Sequence, residues 1–130
     1  MSDDENTRRS AFISNVISIV NDCHSHNITG TCKRLEATFH RFQSQCVFNA
    51  LYSVKFVMML DHIRSRLAQL RFYSATDDKE LAAIRRECLS IVGTLNVLVD
   101  CMELLPLKIE TESIEEAEPA EQPALLKAAS

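Results

Sequence analysis

At 130 residues the chain is long enough for one domain. Its 46% hydrophobic and 25% charged content excludes a wholly disordered protein. Two Gly and three Pro, with every Pro at or beyond position 106, leave too little turn chemistry for an all-β or α/β fold. The net charge of −4 is unevenly divided. Residues 29–75 carry seven Lys or Arg against two acidic side chains, a local +5, while residues 1–28, 76–106 and 107–130 are each acidic.

The first element expected is a helix over about residues 5–25. Phe12, Ile13, Val16, Ile17, Ile19, Val20 and Cys23 form a broad apolar arc at helical spacing. The polar run His24 to Gly30 reads as its stop, with Gly30 free to take a left-handed conformation and Thr31 placed to cap the next helix.

The second element organises the rest of the chain. Leu35, Phe39, Phe42, Cys46, Asn49, Ser53, Phe56, Leu60, Ile63, Leu67 and Leu70 recur in 4-3 steps with no Gly or Pro between them. That pattern predicts a heptad seam on one continuous helix over about 31–73. Asn49 and Ser53 are its two polar positions, read as buried residues that set register at a cost in stability. Val47, Leu51, Val54 and Met58 form a second apolar row beside the seam, which helices overlapping from either side are expected to cover.

Ser74 to Asp78 reads as the next break, with Asp77 and Glu80 at capping-box spacing. A third helix over about 78–105 carries its own seam: Leu81, Ile84, Cys88, Ile91, Leu95, Leu98, Met102 and Leu105. Gly93 within it suggests close approach by another helix, and Pro106 ends it. The expectation is therefore an all-α fold: a three-helix antiparallel bundle or coiled coil over 1–106 with one long central helix. Residues 107–130, rich in Glu, Ala and Pro, read as a disordered acidic tail, with Ala124-Leu125-Leu126 as a candidate docking cluster.

These stripes exceed what three helices can hide, which points to a non-catalytic subunit or adaptor of a multiprotein complex, as a hetero-oligomer or homodimer with other helical subunits. The packing anchors expected for partners are Leu35, Phe39, Phe42, Phe56, Leu60, Ile63, Leu67, Leu70, Ile84, Ile91, Leu95 and Leu98. A nucleic-acid-binding bundle using Arg64, Arg66 and Arg71 is the first alternative, although few aromatics interleave these cations and no nucleic-acid-binding motif accompanies them. A thiol- or zinc-responsive protein using Cys23, His26 and Cys32 is the second; the residue types suit zinc but the spacing lacks a CxxC or HxxxH pair.

No enzyme motif appears: there is no phosphate-cradling Gly loop, nucleophile elbow or HExxH stretch, and no cofactor is implied. Five cysteines are an odd set, and the polar start MSDDENTRRS has no apolar signal region, so free thiols in the cytoplasm or nucleus are expected. The most apolar window, Phe42 to Leu60, contains Lys55, Asn49, two Gln and two Ser, so no membrane insertion is expected.

Overall fold

A computed structural model describes residues 2–72 and 78–106. Their regular structure is all helical: α1 (Ser2–Asp22), α2 (Ile28–Gln43), α3 (Ala50–Ala68), a 3-10 turn (Gln69–Phe72) and α4 (Asp78–Cys101). Each helix packs on its neighbours in the chain, and α4 closes back on α1, giving a ring of four. The acidic tail expected over 107–130 and the capping residue Asp77 lie outside the described residues.

The long central helix is corrected by this arrangement. Its 4-3 pattern is real, but residues 44–49 interrupt it and reverse the chain between α2 and α3. Two backbone hydrogen bonds hold the interruption: the Val47 N–H donates to the Glu103 carbonyl and the Leu105 N–H to the Gln45 carbonyl, both at 2.7 Å. They flank a single antiparallel bridge between Cys46 and Leu104. The Val47 N–H and the Gln45 carbonyl, which a continuous helix would have satisfied internally, are thus satisfied by the segment that follows α4. Asn49 is the N-cap of α3, extended at φ −145° and ψ 115°, and its side chain accepts from the Tyr52 N–H at 3.2 Å. It is exposed, so it sets no seam register, and Ser53 lies half-buried in the first turn of α3.

The first turn also differs from expectation. α2 begins at Ile28, so Gly30 and Thr31 lie inside its first turn, and Thr31 is buried. Asn27 makes the connection instead. Its Nδ2 donates to the Asp22 carbonyl at 2.9 Å, its Oδ1 accepts from the His24 N–H at 2.8 Å, and its own carbonyl accepts from the Thr31 N–H. One amide side chain therefore ends α1 and its backbone starts α2.

Neither α1 nor α4 has a basic residue in its last turn. Each borrows one from the other. Arg9 of α1 donates from Nε to the Val99 carbonyl (3.2 Å) and from Nη2 to the Met102 carbonyl (2.8 Å), while Arg8 reaches the Leu105 carbonyl at 2.9 Å. At the opposite end Arg85 of α4 donates to the Cys23 carbonyl at 2.8 Å. Guanidinium groups at the carbonyl end of a helix are stabilising by about 0.3–2 kcal/mol each, depending on burial. The exchange also requires α1 and α4 to run antiparallel.

The core is built from the inner stripe of every helix. Phe12, Phe39, Phe42 and Phe56 form a four-ring cluster joining α1, α2 and α3, with Phe12 stacked on Phe42 at 4.4 Å and Phe39 tilted against Phe56 at 4.8 Å. Ile63, Leu67 and Leu70 continue it toward Ile84, Cys88 and Leu95 of α4, and Val16, Val20 and Leu35 close the other side. Ion pairs bridge the rims: Arg34–Asp22 between α2 and α1, Arg64–Glu36 between α3 and α2, and Arg66–Glu87 between α3 and α4.

Asn49→Leu separates the two architectures. On a continuous seam it would fill a polar gap and stabilise the chain. Here it removes an N-cap and is expected to destabilise by about 1 kcal/mol in urea unfolding.

Candidate functional site

The first half of α3 is apolar around most of its circumference, a composition that normally means a helix buried on all sides. It is not so buried. Phe56, Ile63 and Leu67 face the core, while Leu51, Val54 and Met58 recur at i, i+3 and i+7 on the opposite side and are each about 60% exposed. Val47 and Phe48 extend this stripe back into the 44–49 linker, and Phe48 is 79% exposed. Six of the ten large apolar residues exposed in the described chain fall between 47 and 58.

Neighbouring elements present exposed residues at the same level. Cys88 Sγ lies 3.9 Å from the Ile63 carbonyl, and Cys46 pairs with Leu104, so residues of α3 and α4 whose numbers sum to about 150 are level. That register sets Val97, itself 66% exposed, level with Val54, and Gly93 level with Met58. A Cβ added at Gly93 would meet nothing within 4 Å, so the close approach expected there is made by no helix of the described bundle. Toward α2 the stripe borders an open groove of about 600 Å³, floored by Phe39 and Phe56 and edged by Val57, Leu60, Lys33 and His40.

The anchors expected to grip partners lie elsewhere. Leu35, Phe39, Phe42, Phe56, Ile63, Leu67, Leu70, Ile84, Leu95 and Leu98 are buried in the chain's own core, and Leu60 and Ile91 pack against it partly buried. Apart from exposed Asn49 and Leu105, both seams are consumed within one molecule. The second row, Val47, Leu51, Val54 and Met58, is not covered by overlapping helices; the break at 44–49 leaves it outside. Phe48 and Val97 belong to no seam, and nothing in the periodicity singles them out.

Two of the three arginines of the basic face are paired with carboxylates. Arg64 pairs with Glu36 and, at 2.6 Å, with Asp61, and these carboxylates raise its pKa against the opposing effect of burial. Arg66 lies 3.6 Å from Glu87. Arg71 donates from Nε to the Ala68 carbonyl and its guanidinium sits 5.7 Å from the centre of the Phe72 ring.

Cys23, His26 and Cys32 do not form a ligand set. Cys23 is buried, Cys32 half-buried and His26 exposed, with its backbone N–H donating to His24 Nδ1. Among the described residues no three His, Cys, Asp or Glu side chains come together to hold a metal ion. All five cysteines are free thiols. Burial raises the pKa of Cys23, Cys32 and Cys46, and it pushes Cys88 up to about 12. Among the described residues no helix is long and apolar enough to cross a membrane.

Comparison of the chain with protein-family models, with curated proteins and with solved structures finds no match.

Thiol reactivity is set by this burial. Thiolate is the reactive form, so exposed Cys101 is expected to react first with a disulfide reagent at pH 8, and Cys23 and Cys88 only on unfolding. The same shifts set a pH dependence. An unfolded thiol ionises near 9.0 while folded Cys88 holds its proton to about 12, so this contribution to stability is intact below pH 9 and declines as pH rises toward 12. Thermal melts across that window check the sign.

Proposed function

We propose that this chain is a non-catalytic helical subunit or adaptor of a multiprotein complex in the cytoplasm or nucleus, and that it binds a helical partner through the outer face of α3. The observation that carries the reading is the contiguous stripe of Phe48, Leu51, Val54 and Met58, left exposed on a bundle whose core is otherwise closed. Large contiguous apolar patches on a folded chain mark interaction surfaces, whereas scattered exposed apolar residues need no explanation. The i, i+3, i+7 spacing fits a helix laid alongside. Exposed Gly93 and Val97 of α4 stand level with it along the bundle axis. Five free thiols support a reducing compartment.

The nucleic-acid alternative lacks such an observation, because Arg64 and Arg66 are engaged by Glu36, Asp61 and Glu87. The thiol or zinc alternative lacks one too, because Cys23 is buried and its neighbours do not converge.

The test uses Leu51→Asp with Met58→Asp. Both positions point to solvent, so stability should change by no more than about 0.5 kcal/mol per site and helical circular dichroism should be unchanged. Proteins that co-purify with the unaltered chain from its native cell should be lost from the variant. Retention of the same partners by a folded variant would refute the reading.

A further inference from the structure

Between α1 and α2 the surface is hollowed into two adjoining recesses of about 150 Å³ and 240 Å³. Both are bordered by Asn15 of α1 and by Thr38 and Arg41 of α2. Arg34, Thr38 and Arg41 stand at i, i+4 and i+7 along α2, and Arg8 and Asn15 at i and i+7 along α1, so each set shares one helix face. Ala11 and Ala37 also border the recesses, with side chains too short to fill them. Three arginines therefore line the seam, and among the described residues no carboxylate lines either recess.

The groups at the junction of the two recesses are uncommitted. Thr38 is only 9% exposed, and its hydroxyl has no hydrogen-bond partner among the described residues. The Asn15 side-chain amide has none there either, and Arg41 forms no ion pair with a described residue. Other helix contacts differ: Arg64 of α3 meets Glu36 of α2, and Arg66 of α3 meets Glu87 of α4. On the α1–α2 seam carboxylates stand only at the ends. Asp4 lies 3.2 Å from Arg8, which also donates to the Leu105 carbonyl, and Asp22 lies 3.9 Å from Arg34. The middle of the seam thus holds an unanswered cation beside a nearly buried hydroxyl without a partner. Buried polar groups are ordinarily satisfied, and a cleft lined by one sign of charge concentrates ions of the other.

We infer that this seam binds a compact phosphate-bearing ligand at the junction of the two recesses. Arg41 takes the phosphate through two parallel N–H donors, a geometry a guanidinium matches and an ammonium does not. The Thr38 hydroxyl and the Asn15 amide supply further donors, and Arg8 and Arg34 add positive field from either side while keeping their own carboxylates. Asp4 and Asp22 close the ends of the seam, which opposes a nucleic-acid strand or any polyanion that would have to run on past them. A soluble phosphate ester and a lipid phosphate headgroup present the same chemistry to these residues. The site uses no residue of α3, so it neither supports nor requires the partner proposed above.

Nuclear magnetic resonance of the full chain tests this, with sodium phosphate and sodium tripolyphosphate titrated against sodium chloride at equal ionic strength. The Asn15 side-chain amide and the Arg41 Nε–H should shift saturably with the phosphates and not with chloride. Arg41→Gln should weaken binding about tenfold and Thr38→Val about threefold, with the rest of the amide spectrum unchanged. Arg71→Gln removes another exposed guanidinium that no carboxylate pairs, outside the seam, and should bind as the unaltered chain does. Co-sedimentation with phosphatidylcholine vesicles containing phosphatidic acid, lost on Arg41→Gln, would assign the phosphate to a lipid headgroup. Saturable tripolyphosphate binding without such co-sedimentation would assign it to a soluble ester. Shifts no larger than those in chloride would overturn the inference. So would an Arg41→Gln chain that binds as tightly as the unaltered one, or an Arg71→Gln chain weakened as much as Arg41→Gln.

Discussion

The backbone pairing of residues 45–47 with 103–105 is the constraint on which the rest of the structure depends. It satisfies amides in the middle of a stretch with no helix-breaking residue and so converts one rod into two antiparallel helices. With that reversal, Phe39 meets Phe56 and Glu36 meets Arg64, contacts that a straight helix forbids. The segment 103–105 is itself held by α1, since Arg8 and Arg9 bind the carbonyls at and beyond the end of α4. The turn between α2 and α3 thus depends on the contact between α1 and α4, and all four helices become mutually conditional.

The inner faces were legible in the sequence because burial follows periodicity. Leu35, Phe39 and Phe42 on one side of the break, and Phe56, Ile63 and Leu67 on the other, all face the core at the spacing their pattern implies. The break was not legible from the same signal. The interval from Phe42 to Phe56 keeps its 4-3 phase through Cys46, Asn49 and Ser53, so periodicity alone cannot distinguish a rod from a hairpin. Local chemistry did carry a clue: Val47 and Phe48 favour extended backbone, and Asn49 is a strong N-cap. What decides between the two is a hydrogen-bond partner more than fifty residues away, which no local window contains. The turn after α1 shows the same limit at shorter range. Gly30 and Thr31 read as punctuation, yet Asn27 holds the end of α1 through its side-chain amide and the start of α2 through its backbone carbonyl.

The candidate site was legible only as a row of residues. Val47, Leu51, Val54 and Met58 stand out in the sequence, but which way they face depends on whether the helix containing them is covered on both sides. Once the reversal consumes both seams internally, the row becomes surface and the former anchors become core. The apolar surface left for a partner is therefore the stripe beside the 4-3 seam, with Phe48 and Val97 joining for reasons only tertiary structure supplies. The arginines change meaning in the same way: in space Arg64 and Arg66 become inter-helix ion pairs with Glu36 and Glu87.

A single distance tests the reversal most directly. Ala37 and Ser65 are exposed sites on α2 and α3, each one residue beyond the Glu36–Arg64 ion pair. Pulsed electron–electron resonance between spin labels at these positions should give a distance within about 20 Å, as for adjacent helices whose axes lie ~8–10 Å apart. A continuous helix would separate the two positions by about 42 Å at ~1.5 Å per residue, and a distribution centred there would contradict the account.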